Sequence, residues 1–506
     1  MRRPKGLEKA EIQLHGRRGS LRQQYAKRLD YLKMNVMGLV TLIVGVVTLM
    51  TPVRWSFVIM IQSTVFGAAA AFSVPGLGGA SVLVPSLFLV FFAIRLFAAY
   101  GEGPFLAALI PWRPGFFLLL LTAFGIFTAI FFPRMFQGMT QTMTVERSVS
   151  AHSFIALVPL RFSSNNITQS VYAVGGLICF IATFAFFRRD AMPSTFVKGI
   201  LIVSSVDLGF ALADIITHFT HTESLLSFVR TANYALLTNA EKGGLKRISG
   251  TFPEASAFAD FTLVLFSIVT SLWLSGIRST ITGTFAGLLV VALILSTSAT
   301  ALVGLAAILP FLSLQSFLAA RREPGAGRPV LIVSILASMP LAIFFVLIVM
   351  PDLAHGLHDF LDEMLFSKAD SQSGRERFMW NAMAYRAFLD TNGFGAGLGS
   401  ARASSFGLVL LSNVGLFGTL LFTVFVSRLL TADGRFPYPS RETAAIVRSA
   451  KAGLVTVLVS AIASGTVYDI GLMFYILAGG IAAFGVKAQH TEAKSGLSLR
   501  IAGELR

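Results

Sequence analysis

The chain has 506 residues, 55% of them hydrophobic and only 13% charged, about half the charge of a soluble domain. With a mean hydropathy of +0.73 and long apolar runs recurring along its whole length, it reads as a polytopic membrane protein. The net charge of +16 does not mark a nucleic-acid binder, because the basic residues are gathered between apolar runs rather than spread over one face.

The first 34 residues hold ten Lys or Arg against Glu8, Glu11 and Asp30. No small-residue cleavage site follows, so the stretch is expected to be a basic cytoplasmic arm and not a secretory signal. Candidate spans then come at 36–50, 54–72, 80–99, 115–132, 168–187, 195–216 and 256–274. Others follow at 280–295, 299–317, 330–350, 406–426, 452–464 and 470–486. Between them lie basic clusters: Arg188, Arg189 and Lys198; Arg321, Arg322 and Arg328; Arg428, Arg435, Arg441, Arg448 and Lys451. This is the pattern of loops held on the cytoplasmic side by anionic lipid headgroups.

Those runs number thirteen, and their parity is awkward. Keeping every basic loop inside requires an odd number of crossings before residues 134–167, where four runs stand. The expectation is therefore twelve spans with both termini cytoplasmic, one crossing being lost within 36–72 or near Pro75-Gly76. The fold class is all-α: a polytopic membrane helix bundle of about 12 transmembrane helices over residues 35–486. Loops 134–167, 217–255 and 351–405 face the far side, the last a large one containing short helices, and 487–506 form a cytoplasmic tail. The one cysteine, Cys179, lies in an apolar run; it forms no intramolecular disulfide and reads as a small buried hydrophobe.

Two polar stretches interrupt the lipid-soluble pattern in ways a linker would not. The first is RISGTFPEASAFADF, residues 247–261. Pro253 and Ser256 suffice as a helix start, but they leave Arg247, Glu254 and the intramembrane Asp260 unexplained, and ionisable groups at membrane depth point to function. The second runs from Ser371 to Gly418. Arg375, Arg377 and Arg402 carry the planar fork that matches phosphate oxygens. Trp380 and Tyr385 suit either stacking on a sugar or anchoring at the interface. Gly395, Gly397 and Gly399 have no preceding strand, so they are not a dinucleotide fingerprint; they fit a tight loop that lets backbone or helices approach closely. The pairs His218/His221 and His355/His358 have helical spacing, but no zinc-protease pattern accompanies them, and Leu295–Leu302 reads as an ordinary Ser/Thr turn.

Taken together, RISGTFPEASAFA, the Leu-Ser-x-Ser break at 295–298, the pattern from Arg377 to Gly399 and the entry SSFGLVLLSNVGLFG resemble the O-antigen polymerase and O-antigen ligase superfamily of bacterial envelope enzymes. The likeness covers roughly residues 165–486 in order and spacing. It implies a metal- and cofactor-independent glycosyltransferase of the inner membrane, acting at the periplasmic face on undecaprenyl-pyrophosphate-linked oligosaccharide. It further implies chain-length-regulating and export proteins as partners, together with membrane lipids and no nucleic acid. Arg247 matches the family's loop arginine, and 352–405 its periplasmic loop. Two positions depart from the ligase pattern: Ala299 stands where ligases place an arginine, and Ser404 and Ser405 where they place a His-Asn-like pair. The chain looks closer to exopolysaccharide repeat-unit polymerases.

On that resemblance, Arg247, Glu254 and Arg402 are the expected catalytic residues, with Glu254 as base. Arg375, Arg377, Trp380, Tyr385, Ser404 and Ser405 are the expected substrate-binding residues. Ligation to a different acceptor is the nearest alternative. A lipid-linked glycan flippase is the alternative from another class, and it would want charges deep in broken helices at the midplane.

Overall fold

The computed structural model describes residues 35–74, 80–147, 153–190, 192–232, 237–238, 241–242, 245–322, 372–432 and 441–485. Among them the protein is mostly helical, and seven helices are long and apolar enough to cross a membrane. These are α5 (Pro114–Met135), α6 (Ser164–Arg189), α7 (Pro193–Phe219), α8 (Ala255–Leu274), α10 (Ala299–Arg322), α12 (Phe406–Leu430) and α13 (Arg441–Ser464). Shorter apolar helices complete the bundle: α1 (Val36–Met50), α3 (Val84–Tyr100), α9 (Ser279–Leu295) and α14 (Leu472–Gly485). Three more helices are α2 (Val53–Ser63), the six-residue α4 (Gly103–Ala108) and the amphipathic α11 (Gln372–Asp390). The expected span at 330–350 and the pair His355/His358 lie outside the described residues.

At the centre is α8, with 78% of its apolar window buried inside the protein and α9, α10 and α13 packed around it. Aromatic side chains fill the neighbouring contacts: Phe57 stacks on Phe186 with centroids 4.7 Å apart, and Phe187 meets Phe57 edge-on at 4.9 Å. With no hydrophobic drive between helices in lipid, such close packing holds the bundle together.

The helices sort the loops onto two ends. α6 begins where Asn166 Nδ2 donates to Leu398 O at 2.8 Å, and it ends at Arg188 and Arg189, about 39 Å away for 26 residues. Near that far end, Arg54 Nε bonds Asp190 Oδ2 at 2.6 Å, Gln315 Nε2 donates to Arg448 O at 3.0 Å, and Lys451 Nζ donates to Leu430 O at 2.8 Å. So the described members of all three basic clusters gather at one end. The starts of α3, α6, α8, α12 and α14 and the close of α13 gather at the other.

The N-terminal segments depart from expectation. The run 54–72 is not one helix, because α2 stops at Ser63 and Ala70–Val74 becomes β1, paired antiparallel with β2 (Ala80–Leu83). Neighbouring loops hold the strand: Ala70 N–H donates to Thr231 Oγ1 at 3.0 Å, and Ala68 N–H to Thr251 O at 2.9 Å. Nor do residues 36–72 make two full-length spans, since the 11 residues of α2 rise only about 16 Å against a hydrocarbon core of about 30 Å. α1 and α2 form an antiparallel hairpin that closes at the basic end, where Arg95 Nε reaches Thr51 O (3.1 Å). It opens at the other end, where Asn35 Nδ2 meets Ala70 O (3.2 Å). Four segments therefore alternate between the ends before residue 134. Asn35 sits at the end opposite Gly485, which lies beside Ala432 after the close of α12. The termini themselves are outside the described residues. Within 134–167 the chain forms an antiparallel hairpin, β3 (Gln141–Arg147) with β4 (Ser153–Pro159).

Candidate functional site

The glycine-rich stretch after α11 is wedged against a break in α12. Gly415, with φ 63° and ψ −166°, interrupts that helix. The interruption frees carbonyls that the loop then satisfies: Ala396 N–H donates to Ser412 O at 2.7 Å and Gly397 N–H to Asn413 O at 3.0 Å. Gly395, Gly397 and Gly399 all have φ between 85° and 98°, which favours glycine sterically. A Cβ on Gly397 would stand 2.6 Å from Thr128 O, and one on Gly399 2.6 Å from Asn165 O. Asn413 then fastens the loop, its Oδ1 accepting from Gly399 N–H (2.8 Å) and its Nδ2 donating to Ala401 O (2.8 Å). The close approach expected of these glycines is what the backbone does here.

That anchored loop delivers Arg402. Its backbone N–H bonds Met143 O of β3 (2.9 Å), and Nη2 donates to Thr466 Oγ1 (2.9 Å). Its Nε is buried without a partner among the described residues, and burial holds the guanidinium below its ordinary pKa. Arg402 thereby braces residues 465–471, the turn between α13 and α14, from one side.

On the other side of the same turn is a cavity of about 350 Å³. Its polar wall is made by Asp260 of α8, Ser460 and Ser464 of α13, Tyr172 of α6 and Asp469 of the turn; Phe252, Phe261, Val264 and Met473 supply apolar wall. α8 and α13 run antiparallel, so Asp260, near the start of one, meets Ser464, the last residue of the other, with Ser464 Oγ donating to Asp260 Oδ2 at 3.4 Å. Asp260 Oδ1 is buried and unpartnered among the described residues. Both Glu254 and Arg377 lie within coulombic reach of this carboxyl. Asp469 accepts the Gly471 N–H at 3.0 Å, and burial pushes its carboxyl above the usual range.

None of the expected site residues lines this cavity. Glu254 occupies the N-cap position of α8 and takes a hydrogen bond from the Ser256 hydroxyl. Arg247 is half-buried in the loop before α8, its Nε unpartnered among the described residues. Arg375 is exposed on α11, whereas Arg377 and Trp380 are half-buried. Tyr385 is exposed on that helix together with Phe378 and Leu389, which suits the interfacial-anchor alternative for Tyr385. Ser404 is buried, its N–H held by Asn381 Oδ1 of α11 at 2.7 Å, and Ser405 is the N-cap residue of α12.

Several polar groups were not singled out in the sequence. Asp214 near the end of α7 is fully buried and is met by Arg230 Nη2 at 2.8 Å, Ser249 N–H at 2.8 Å and Gly250 N–H at 3.0 Å. Lys246 Nζ stands 3.8 Å away. A buried carboxylate with this many donors fixes the loop that carries Arg247. Asp469 and Tyr172 were also passed over. Tyr172 resembles any polar residue in a span, whereas Asp469, an acid inside a break between two apolar runs, was a signal open to use. His218 faces Glu223 at 3.4 Å at the exposed end of α7. No protein-family model matches this chain, and no curated protein matches it significantly.

Proposed function

We propose that the protein is a glycan polymerase. It moves a growing glycan from a polyprenyl-pyrophosphate donor onto a lipid-linked repeat unit, at the bundle end remote from the basic loops, which is the periplasmic face of a bacterial inner membrane. One observation carries this reading: two stretches singled out by their chemistry approach the same cavity, residues 247–261 through Phe252, Asp260 and Phe261 in its wall, and residues 372–405 through Arg377, within coulombic reach of Asp260, and Arg402, bonded to Thr466 of the adjoining turn. A pyrophosphate leaves readily once its charge is neutralised. Arg377, half-buried and within coulombic reach of Asp260, supplies that neutralisation, aided by Arg247 and Arg375 of the same two stretches. Arg402, tied to Thr466, holds the turn that closes the cavity. A cavity with a polar floor and apolar walls suits a sugar carried on a lipid tail. The arginines of the two polar stretches belong to one end, and the carboxylate in the middle of α7, Asp207, is buried against the Thr262 hydroxyl, which favours an enzyme over a flippase.

The Arg247→Ala variant tests the reading through the lipid-linked intermediates it leaves. Loss of a transition-state donor lowers turnover by about 10²–10³, so single repeat units on lipid accumulate at the outer face. Accumulation inside would indicate a flippase, and long lipid-linked chains a ligase. Normal polymer from the variant would remove Arg247 from the site.

A further inference from the structure

We infer that Asp260, rather than Glu254, takes the proton from the acceptor hydroxyl; this rests on the glycosyl-transfer reading above. A general base must reach the proton it removes and have an oxygen free to receive it. Glu254 fails the first requirement, because it stands outside the cavity lining, and one of its carboxylate oxygens already takes the Ser256 hydroxyl. Asp260 lines the cavity, and its Oδ1 has no partner among the described residues. Its other oxygen is steadied by Ser464 at 3.4 Å.

The charged and titratable groups facing Asp260 come from each element around it. Glu254 is on its own helix, Arg377 is on α11, and Tyr172 of α6 and Asp469 of the 465–471 turn share its cavity. Asp469, the one other carboxylate in the cavity wall, has one oxygen occupied by the Gly471 N–H, and it is the competitor for the role.

In the step, the acceptor O–H proton passes to Asp260 while the hydroxyl oxygen bonds the donor's anomeric carbon. The bond from that carbon to the pyrophosphate oxygen breaks, and its electron pair leaves with the polyprenyl diphosphate. Asp260 then returns its proton to water.

The test uses full-length protein in lipid nanodiscs and, as probe, the lipid-linked oligosaccharide extracted from a strain lacking the gene. Wild type is compared with Asp260→Asn, Asp260→Glu, Glu254→Gln and Asp469→Asn. A lost general base lowers kcat by about 10²–10⁴. Asp260→Asn is expected to fall in that range with KM little changed and to lose the acid limb of the pH–rate profile. Asp260→Glu regains part of the rate, and Glu254→Gln stays within a few-fold of wild type. Reaction of buried Cys179 with a fluorogenic maleimide during heating shows whether each variant is folded. If wild type joins no repeat units, the glycosyl-transfer reading falls and this assignment with it. If wild type is active while folded Asp260→Asn keeps its rate and pH profile, or the loss appears in Glu254→Gln or Asp469→Asn instead, the assignment to Asp260 alone is overturned. Should Asp260→Asn fail to fold, the Asp260→Glu pH profile decides: an unmoved acid limb is the overturning result.

Discussion

Asp469 is a half-buried carboxylate in the turn between α13 and α14, and its energetics depend on pH in a definite direction. Burial raises its pKa above the unfolded value, and the Gly471 N–H offsets this only in part. The folded protein therefore binds this proton more tightly than the unfolded chain does. By linkage, the stabilisation is complete below the ordinary carboxylate range and is lost as pH rises through the raised folded value. Thermal unfolding followed by tryptophan fluorescence should show Tm falling over that window in wild type. Asp469→Asn, which has no proton to lose, should flatten the fall and unfold at higher temperature than wild type on the alkaline side. Parallel Tm curves for the two proteins would show that Asp469 is ionised without penalty. Asp214 illustrates the contrasting arrangement: fully buried, it is surrounded by Arg230, Lys246 and two backbone N–H groups, so donors meet it on several sides.

Among the elements, α12 and the loop wedged into it form one unit, and Asn413 is the joint. Replacing it by Ala orphans the Gly399 N–H, the Ala401 N–H and the Ala401 carbonyl at once. Each buried group left without a partner costs about 1–3 kcal/mol. Asn413→Ala is therefore expected to lower Tm by several degrees and to reduce turnover, because Arg402 and the 465–471 turn lose their support. Unchanged Tm would mean that water replaces the amide fully. Some of this unit was legible in the sequence. The glycine spacing called for close backbone approach, and hydropathy found α8 and α12 within a few residues of their ends but only the last half of α13, whose first turns carry Arg441, Glu442, Arg448 and Lys451. The break at Gly415 was not legible, since one glycine inside an apolar run usually continues the helix. β1 and β2 were missed for a similar reason. Ala70–Val74 and Ala80–Leu83 are apolar enough to extend the adjoining runs, and it is their pairing with each other, held by the bonds of Ala68 and Ala70 to residues 251 and 231, that makes them strands. Ion pairs such as Asp214 with Arg230 leave no local pattern at all, because the partners are set by how helix and loop pack.

For the molecule as a whole, the distribution of charge between the two ends predicts orientation. Arg54, Arg113, Arg188, Arg189, Arg428 and Arg441 gather at one end, where Glu102, Asp190 and Glu442 are the acids among the described residues. Each Lys or Arg near an anionic leaflet is worth about 1 kcal/mol, so that end belongs on the cytoplasmic side and the cavity faces outward. Opposing this is the basic arm 1–34, which joins α1 at the cavity's end. Cysteine labelling separates the two influences cleanly, because the sole native thiol, Cys179, is fully buried. Arg375→Cys places a thiol at an exposed site on α11, which packs against β3 at the cavity's end, and Thr431→Cys one at an exposed site on the basic end. In spheroplasts treated with a membrane-impermeant maleimide, the cysteine at position 375 should react at once, and that at position 431 only after permeabilisation. The reverse order would put the cavity in the cytoplasm, where a donor exposed on the periplasmic face never arrives, and the polymerase reading would fall with the orientation. Labelling of both positions in intact spheroplasts would mean that the two ends are not separated by a bilayer, and the division of the bundle into a basic end and a site end would lose its meaning.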